Sequence, residues 1–250
     1  PNVFRRFVAD EGLTGALIPA LAKADQEGPD EAKLLANTTL SALLMVNVLV
    51  CVFGILGAEW LVKAFAYSFT EDAEQFRLTV TLTRWLFPFV TMVSLVSFFE
   101  GLLNHKQHFF IPKLAPGLVS AGIAASALLL GGHFEEPVYA LVVGVLVGGI
   151  AHILVNVPIV WMKWGRLGLS LAFRNPRFQK IVREITKVIA IGVMAQINIL
   201  VLRQLASSVG DGAVTHYWNA NRLVDLSQGM IAVAIGSALL PSLAEAVAVK

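Results

Sequence analysis

The chain has little charge and almost no cysteine. Only 14% of its 250 residues are Asp, Glu, Lys or Arg and 56% are hydrophobic, which excludes a disordered or ordinary soluble protein. The one cysteine, Cys51, has no partner in the chain, so a disulfide framework is excluded. The sequence also lacks a P-loop, a zincin motif and a nucleophile elbow. We therefore expect no enzyme, no catalytic residue and no cofactor.

Metal ligands are similarly scarce. His105 and His108 are three residues apart, but they fall in a predicted loop without a third ligand beside them. Structural and catalytic metal sites need at least three protein ligands. We therefore expect no metal site.

Long apolar runs dominate the sequence and predict an integral membrane protein. Mean hydropathy is +0.72, and the runs are about 20 residues long, the length at which an α-helix crosses a bilayer core. We predict an all-α, polytopic transmembrane helix bundle with helices near residues 3–22, 38–58, 80–103, 114–131, 138–162, 188–206 and 214–249. The last helix has a polar first half, which requires protein or water beside it rather than lipid.

Lys and Arg are distributed unevenly between the predicted loops. If the helices alternate across the bilayer, eleven of these residues lie on one side, in segments 23–33, 104–113 and 163–187. Two lie on the other side, in segments 59–79, 131–137 and 207–215. The positive-inside rule therefore assigns the first side to the cytoplasm.

The ends of the sequence predict a piece of a longer protein. With this orientation the first helix runs inward, which requires at least one more helix before Pro1. The chain also begins without Met, and it stops at Lys250 directly after an apolar run. We therefore expect truncation at both ends.

The most basic segment, residues 163–187, also contains aromatic and aliphatic side chains. Two interpretations are open. The segment is either an amphipathic helix in the headgroup plane, interrupted by Pro176, or a cytoplasmic loop that leads into the next span. A basic cytoplasmic segment is what the topology already requires, so we expect no nucleic acid partner.

Charged side chains at membrane depth indicate function, because each costs about 2.5–3.5 kcal/mol at a helix centre. Arg5 and Arg6 lie in the first predicted helix and Arg222 in the last, while Asp and Glu are scarce inside the spans. A self-neutralising pair of Arg222 with Asp225 is one alternative. Guanidinium otherwise binds phosphate oxygens with two parallel hydrogen bonds. The arginines therefore favour an anionic cargo, particularly phosphate or pyrophosphate.

Other polar or small residues in the spans predict structural roles. Arg84 and Glu100 lie near opposite ends of one span, and we expect both to be interface anchors. His152 is expected to be a packed core histidine rather than a proton relay. Gly144 and Gly148 are four residues apart and predict a helix-packing face.

A series of short motifs runs through almost the whole chain. They are Pro1-Asn2-x-x-Arg5-Arg6 with Glu11-Gly12, Phe87-Pro88, Leu103-Asn104, Ile111-Pro112, Gln196-Ile197-Asn198, Asn219-Ala220-Asn221-Arg222-Leu223 and Leu240-Pro241-Ser242-Leu243. In this order they resemble the MviN/MurJ family of lipid II flippases, which belongs to the multidrug/oligosaccharidyl-lipid/polysaccharide exporter superfamily.

The resemblance implies a fourteen-helix, two-lobed exporter-type fold, with two six-helix lobes around a central V-shaped cavity and two extra C-terminal helices. This chain would hold helices two to eight. Residues 1–162 would form N-lobe helices two to six, residues 163–187 a cytoplasmic basic amphipathic linker, and residues 188–250 the first two helices of the C-lobe.

The resemblance also implies a function. The protein would move lipid II, the undecaprenyl-pyrophosphate disaccharide-pentapeptide, from the inner to the outer leaflet of the bacterial cytoplasmic (inner) membrane. It would carry out this step of peptidoglycan and cell wall biogenesis by alternating access, and cell shape depends on that step. Expected partners are lipid II, membrane lipid and other cell wall synthesis proteins. The alternatives are a polysaccharide-precursor or multidrug exporter of the same superfamily, and a scaffold subunit that does not transport.

Motif positions imply the substrate-binding residues. Arg5 and Arg222 match cavity arginines of the family's second and eighth helices, and Arg6 and Glu11 match neighbours of the first site. Asn198 belongs to the motif in the seventh helix and is expected to join them. Together they would bind the pyrophosphate end of lipid II.

The first motif departs from the family pattern by one inserted residue. This chain reads Ala9-Asp10-Glu11-Gly12 where relatives usually read Ala-Glu-Gly. An insertion rotates one side of a helix against the other by about 100°. Either Asp10 takes the acidic role or the helix contains a local bulge.

Overall fold

The computed structural model describes residues 13–65, 72–134, 136–209, 219–221 and 224. Within these ranges the chain is helical and contains no strand. The helices are α1 (Thr14–Glu27), α2 (Pro29–Leu56), α3 (Ala58–Phe65), α4 (Ala73–His105), α5 (Phe110–Leu114), α6 (Pro116–Leu130), α7 (Val138–Trp164) and α8 (Pro176–Val209). The all-α prediction is confirmed. The chain separates into two compact units, with the division between Gly192 and Val193 inside α8.

Four helical segments are long and apolar enough to cross a membrane: Pro29–Leu56, Ala73–His105, Phe110–Leu130 and Val138–Trp164. Their outward faces expose large apolar side chains such as Phe53, Leu128 and Met162, as contact with lipid requires. The prediction of a polytopic transmembrane bundle is therefore confirmed. The first predicted helix lies partly, and the last almost wholly, outside the described residues.

The predicted loop at residues 23–33 is wrong. Helix α1 continues to Glu27, and α2 begins at Pro29. Gly28 alone separates the two helices, with φ of 148°, a backbone conformation that L side chains rarely adopt. Hydropathy locates only the apolar part of a helix, whereas Lys, Gln and Glu continue it beyond the membrane because they are good helix formers.

A second boundary shifts for a similar reason. Helix α4 starts at Ala73 rather than near residue 80, because the Asp72 side chain caps its first turn. The Asp72 Oδ1 atom accepts hydrogen bonds from the backbone N–H groups of Glu74 and Gln75, at 2.9 and 3.2 Å. The extra turns project beyond the apolar run that the sequence window detects.

Helices α6 and α7 pack with their backbones in contact, which confirms the predicted glycine face. A Cβ atom added to Gly148 would lie 2.7 Å from the Val119 Cα atom. One added to Gly144 would lie 2.7 Å from the Gly122 carbonyl oxygen. Small residues permit this approach, and in lipid such close packing stabilises helix pairs. Helix α6 is therefore held directly against α7.

The main apolar core lies at the end of the bundle that the positive-inside rule assigns to the cytoplasm. It joins α1, α2, α4 and α7 to the first turns of α8, through Leu17, Leu21, Leu35, Phe98, Leu102, Val160, Trp164 and Ile181. This core places the three basic segments at one end of the first compact unit, as the topology predicted.

Candidate functional site

Most of the sequence-predicted binding residues lie outside the described part of the chain. This is true of Arg5, Arg6, Glu11 and Arg222. Asn198 lies on α8, and its side chain is exposed. The convergence of these five residues on one ligand therefore stays a prediction.

The structure bears on the inserted residue of the first motif at one point. Leu13, two residues after Glu11, is π-helical. A π-bulge is the usual way in which an α-helix accommodates one extra residue. Asp10 and Glu11 themselves lie outside the described residues, so the acidic role of Asp10 and the local bulge both stay predictions.

A polar cluster forms where the three basic segments meet. The Asp25 Oδ2 atom accepts hydrogen bonds from His105 Nε2 and Lys106 Nζ, both at 2.7 Å. Burial alone would raise the pKa of Asp25, but the hydrogen bonds from Lys106 and His105 outweigh it and lower the pKa from its ordinary value. The carboxylate of α1 is thus held in its charged form against the C-terminus of α4.

Trp164, the last residue of α7, packs against the same cluster. Its buried indole Nε1–H donates to the Leu102 carbonyl oxygen at 3.1 Å, which satisfies a donor that burial would otherwise leave unpaired. The Lys106 Nζ atom lies 4.8 Å from the indole centroid, and the His105 ring lies 5.6 Å away. The C-terminal ends of α4 and α7 are therefore joined through one aromatic side chain.

Arg177, in the first turn of α8, contacts acids on both sides of Gly28. Its guanidinium forms ion pairs with Glu27 of α1 and with Glu31 of α2, the latter at 3.2 Å. The hydrogen bond to Glu27, the largest effect, raises the pKa of Arg177. A cation is unfavourable at a helix N-terminus, because the helix dipole is positive there. The two carboxylates offset that repulsion and fasten α8 to α1 and α2.

The segment between α7 and α8, residues 165–175, lies along the cytoplasmic end of α2. The Gly168 N–H donates to Asn37 Oδ1 at 2.9 Å, and the Ser170 N–H donates to Ser41 Oγ at 2.8 Å. The Thr38 hydroxyl donates to Ser170 Oγ at 3.2 Å. Three polar side chains of α2 therefore hold the segment in place.

The interpretation of Pro176 as an interruption of an amphipathic helix is wrong. Pro176 is the first residue of α8, a position where its fixed φ is suitable and its missing N–H costs nothing. Helix α8 therefore begins twelve residues before the apolar run predicted from residue 188. Its early turns carry the cytoplasmic contacts described above.

We call the ion-paired set at this end the cytoplasmic latch, consisting of Asp25, Glu27, Glu31, His105, Lys106 and Arg177. Sequence reasoning missed its acidic members, because the topology argument counted only Lys and Arg. The signal was present: four acids lie between residues 25 and 31, in a segment assigned to the basic side. Within the described ranges, no group of three His, Cys, Asp or Glu side chains is placed to hold a metal ion.

The two predicted interface anchors differ. Arg84 pairs with Glu59 at 3.0 Å, and both side chains are exposed, as an anchor requires. Glu100 is not an anchor: its side chain is only 20% exposed, and its Oε1 atom lies 3.4 Å from His152 Nε2. The helix rotation turns Glu100 toward α7 rather than toward the membrane surface. His152 is buried, as the core interpretation predicted.

The family model and the similar proteins indicate the same family. A family model described as "Lipid II flippase MurJ" matches residues 1–250. The "Lipid II flippase MurJ" of Burkholderia cenocepacia is 33% identical over 251 residues, which cover 98% of this chain and 49% of that protein. The "Probable lipid II flippase MurJ" of Rhizobium tropici is also 33% identical, over 98% of this chain and 46% of that protein.

The chain spans about half the length of the curated relatives it matches. The family is one of transporters, not of enzymes, and its membership together with the membrane-length helices places the chain in the bacterial inner membrane. The motifs that suggested the resemblance and the match along all 250 residues agree. The chain belongs to the MurJ family of lipid II flippases.

Proposed function

We propose that this chain forms helices two to eight of a flippase that moves lipid II from the inner to the outer leaflet by alternating access. The observation that carries the proposal is the family match along residues 1–250. Because the match runs through every predicted helix, it includes the motifs that contain the proposed cavity residues. The match therefore supports a shared transport function, and not only a shared set of membrane-spanning helices.

The proposed cargo site uses the arginines of two different predicted lobes. Arg5 and Arg222 would bind the pyrophosphate, with Arg6, Glu11 and Asn198 beside them. Guanidinium suits this cargo because it stays charged at any cellular pH and binds phosphate oxygens with two hydrogen bonds. No bond is made or broken, so the protein needs no catalytic residue. Closing one side of the cavity and opening the other would carry the headgroup across the membrane.

The cytoplasmic latch supports an alternating mechanism because its contacts join separate helices and are ionic. Helix α8 is the covalent connection between the two compact units, and Arg177 fastens its first turn to α1 and α2. Partly exposed ion pairs can break and re-form at low cost, since water solvates the separated charges. We propose that the latch releases the start of α8 when that helix moves with the C-lobe, and that it re-forms when the helix returns.

The proposed partners follow from the cargo. Lipid II would enter from the cytoplasmic leaflet and leave on the outer one, with its polyprenyl tail remaining in membrane lipid. Other cell wall synthesis proteins would supply lipid II on one side and consume it on the other. We propose these as partners of the whole protein.

The test is complementation of a strain depleted of its lipid II flippase. The full-length gene that encodes this chain is compared with its Arg5→Ala and Arg222→Ala variants at matched membrane expression. Arg183→Ala is the control, because it removes an exposed arginine of α8 at the cytoplasmic end. We expect rescue by the wild type and by the control, and loss of rescue by both cavity variants. Lys at either cavity position should also impair rescue, because ammonium lacks the two-pronged geometry.

Each other outcome has a distinct meaning. Rescue by all variants would remove the two arginines from the cargo site while leaving the family unchanged. Failure of the wild type despite good membrane expression would favour an exporter of another cargo or a scaffold subunit. Transport of a polysaccharide precursor or of a cationic drug by the wild type would then indicate an exporter, whereas a scaffold subunit would transport neither.

A further inference from the structure

A groove lies between α4 and α6, with α7 as its floor. Both helices pack against α7 and leave between them a cavity of about 350 Å³. Its volume lies in the range of roughly 300–1,000 Å³ that is usual for small-ligand sites. The groove lies within the first compact unit, and none of its described lining residues belongs to the cytoplasmic latch.

The groove is polar at one end and apolar along the rest. Its polar side chains are Ser97, Glu100, Ser120 and His152. Ser97 and Glu100 lie toward the cytoplasmic end of α4, whereas the wall from Val96 back to Leu86 is apolar. Glu100 and Leu86 are fourteen residues apart, or about 20 Å along the helix. In the orientation that the positive-inside rule predicts, the polar end faces the cytoplasmic leaflet, and the apolar part extends toward the bilayer centre.

The polar end contains an unpartnered nitrogen. The His152 side chain is 9% exposed, and among the described residues its buried Nε2 atom has no hydrogen-bond partner. The Glu100 Oε1 atom lies 3.4 Å from it, a distance that exceeds the 2.7–2.9 Å of a charge-assisted hydrogen bond. When the imidazole Nε2 atom carries no proton, it and the Glu100 carboxylate are two acceptors that line the same groove. Leaving such a buried group unpaired is costly, so a donor between them would be stabilising.

Charge and shape together select one kind of donor. No Lys or Arg of the described residues lines the groove, so a purely anionic headgroup would meet Glu100 without a compensating cation. A primary ammonium group carries a positive charge and three N–H donors. It would satisfy Glu100, His152 and a serine hydroxyl together. A lipid of the cytoplasmic leaflet has its head at this end and its acyl chain toward the bilayer centre, as the groove does.

We propose that the groove binds an aminophospholipid of the cytoplasmic leaflet, with its ammonium group between Glu100 and His152. One acyl chain lies along the apolar wall of α4. The proposed pyrophosphate site is built from arginines, which would repel an ammonium group, so the two proposals call for different ligands. The inference goes beyond the proposed function, because binding at this groove requires no transport.

The test uses the full-length, delipidated protein in detergent micelles and three lipids with identical acyl chains. Phosphatidylethanolamine carries a primary ammonium, phosphatidylcholine carries a cation without N–H donors, and phosphatidylglycerol carries no cation. Bound lipid is counted by native mass spectrometry over a concentration series. We expect phosphatidylethanolamine to bind at least about tenfold more tightly than phosphatidylcholine. The choline group has no N–H donor, so phosphatidylcholine loses the hydrogen bonds to the charged Glu100 carboxylate. Phosphatidylglycerol should bind most weakly.

Two variants locate the binding in the groove. Glu100→Gln keeps the shape of the side chain and should lower phosphatidylethanolamine affinity by about tenfold or more. Ser120→Phe, at an exposed position on the α6 wall, should obstruct the groove without filling a packed core. Glu59→Gln removes a carboxylate from the opposite end and should change nothing. Equal binding of the three lipids by the wild type, or unchanged binding by both groove variants, would overturn the proposal.

Discussion

Two different kinds of contact hold helix α7, one along its length and one at its cytoplasmic end. Toward α6, glycine backbones touch without any charged group between them. At its cytoplasmic end, Trp164 meets α4 beside a cluster of ion pairs. The first contact depends on the absence of side chains, and the second depends on long side chains that carry charge.

The difference indicates which part of this unit is a fixed scaffold. Backbone contact between glycines does not respond to salt or pH, and it has no alternative partner when it is broken. The ion pairs of the latch weaken when salt screens them or when a carboxylate takes up a proton. We therefore expect α6 and α7 to stay together, while the contacts of α8 with α1 and α2 are the ones that can open.

The largest effect should come from breaking the glycine contact. In Gly148→Leu, the new Cβ atom would lie 2.7 Å from the Val119 Cα atom and 3.0 Å from the Leu118 carbonyl oxygen. Both neighbours are backbone, so the helices must separate, at the upper end of the about 1–3 kcal/mol typical of overpacking. Gly117→Leu is the matched control, because nothing lies within 4 Å of a Cβ atom there. Thermal melting in detergent should show a lower Tm for Gly148→Leu only, and equal Tm values would contradict the scaffold interpretation.

A smaller effect should follow from opening the latch. Arg177→Ala removes the ion pairs with Glu27 and Glu31, so Tm at low salt should fall relative to the wild type. The difference in Tm between the wild type and Arg177→Ala should narrow in about 1 M salt. The Debye length is then only about 3 Å, so the ion pairs of the wild type are already weakened. Arg183→Ala should show neither change. A gap that is independent of salt would mean that Arg177 acts through packing instead.

The smallest effect should be a dependence on pH at Asp25. The pKa of this carboxyl is lowered in the folded state, so its contribution to stability is present above the ordinary Asp pKa of about 4. It is lost as the pH falls through the lowered value. The Tm of Asp25→Asn should therefore lie below that of the wild type at pH 6, and the gap should close below about pH 4. Glu184→Gln, which removes an exposed carboxylate from α8, serves as the control, and a Tm difference that persists in acid would contradict this role of Asp25.

The apolar helices were predictable because bilayer thickness sets their length. Residues 138–162 were predicted as a span and the structure has Val138–Trp164, and residues 114–131 correspond to Pro116–Leu130. The same reasoning failed at α1 and α2, where charged residues continue the helices beyond the membrane and only Gly28 interrupts them. Hydropathy measures where a helix is apolar, not where it ends.

The latch and the groove were not predictable from the sequence. Asp25 and Lys106 are 81 residues apart, and Arg177 and Glu31 are 146 apart. Glu100 and His152 lie on different helices, and a rotation of either by one residue, about 100°, would separate them. The motifs instead predicted Arg5, Arg6, Glu11, Asn198 and Arg222, whose convergence stays a prediction.

The sequence by itself determined the membrane class, the glycine face and the family, because these depend on composition, residue spacing and short motifs that act locally along the chain. Only the tertiary structure decided which acids meet Arg177 and Lys106, and that Glu100 faces His152 across a groove. Those pairings depend on how distant helices rotate and pack against one another, and no local property of the chain specifies that arrangement.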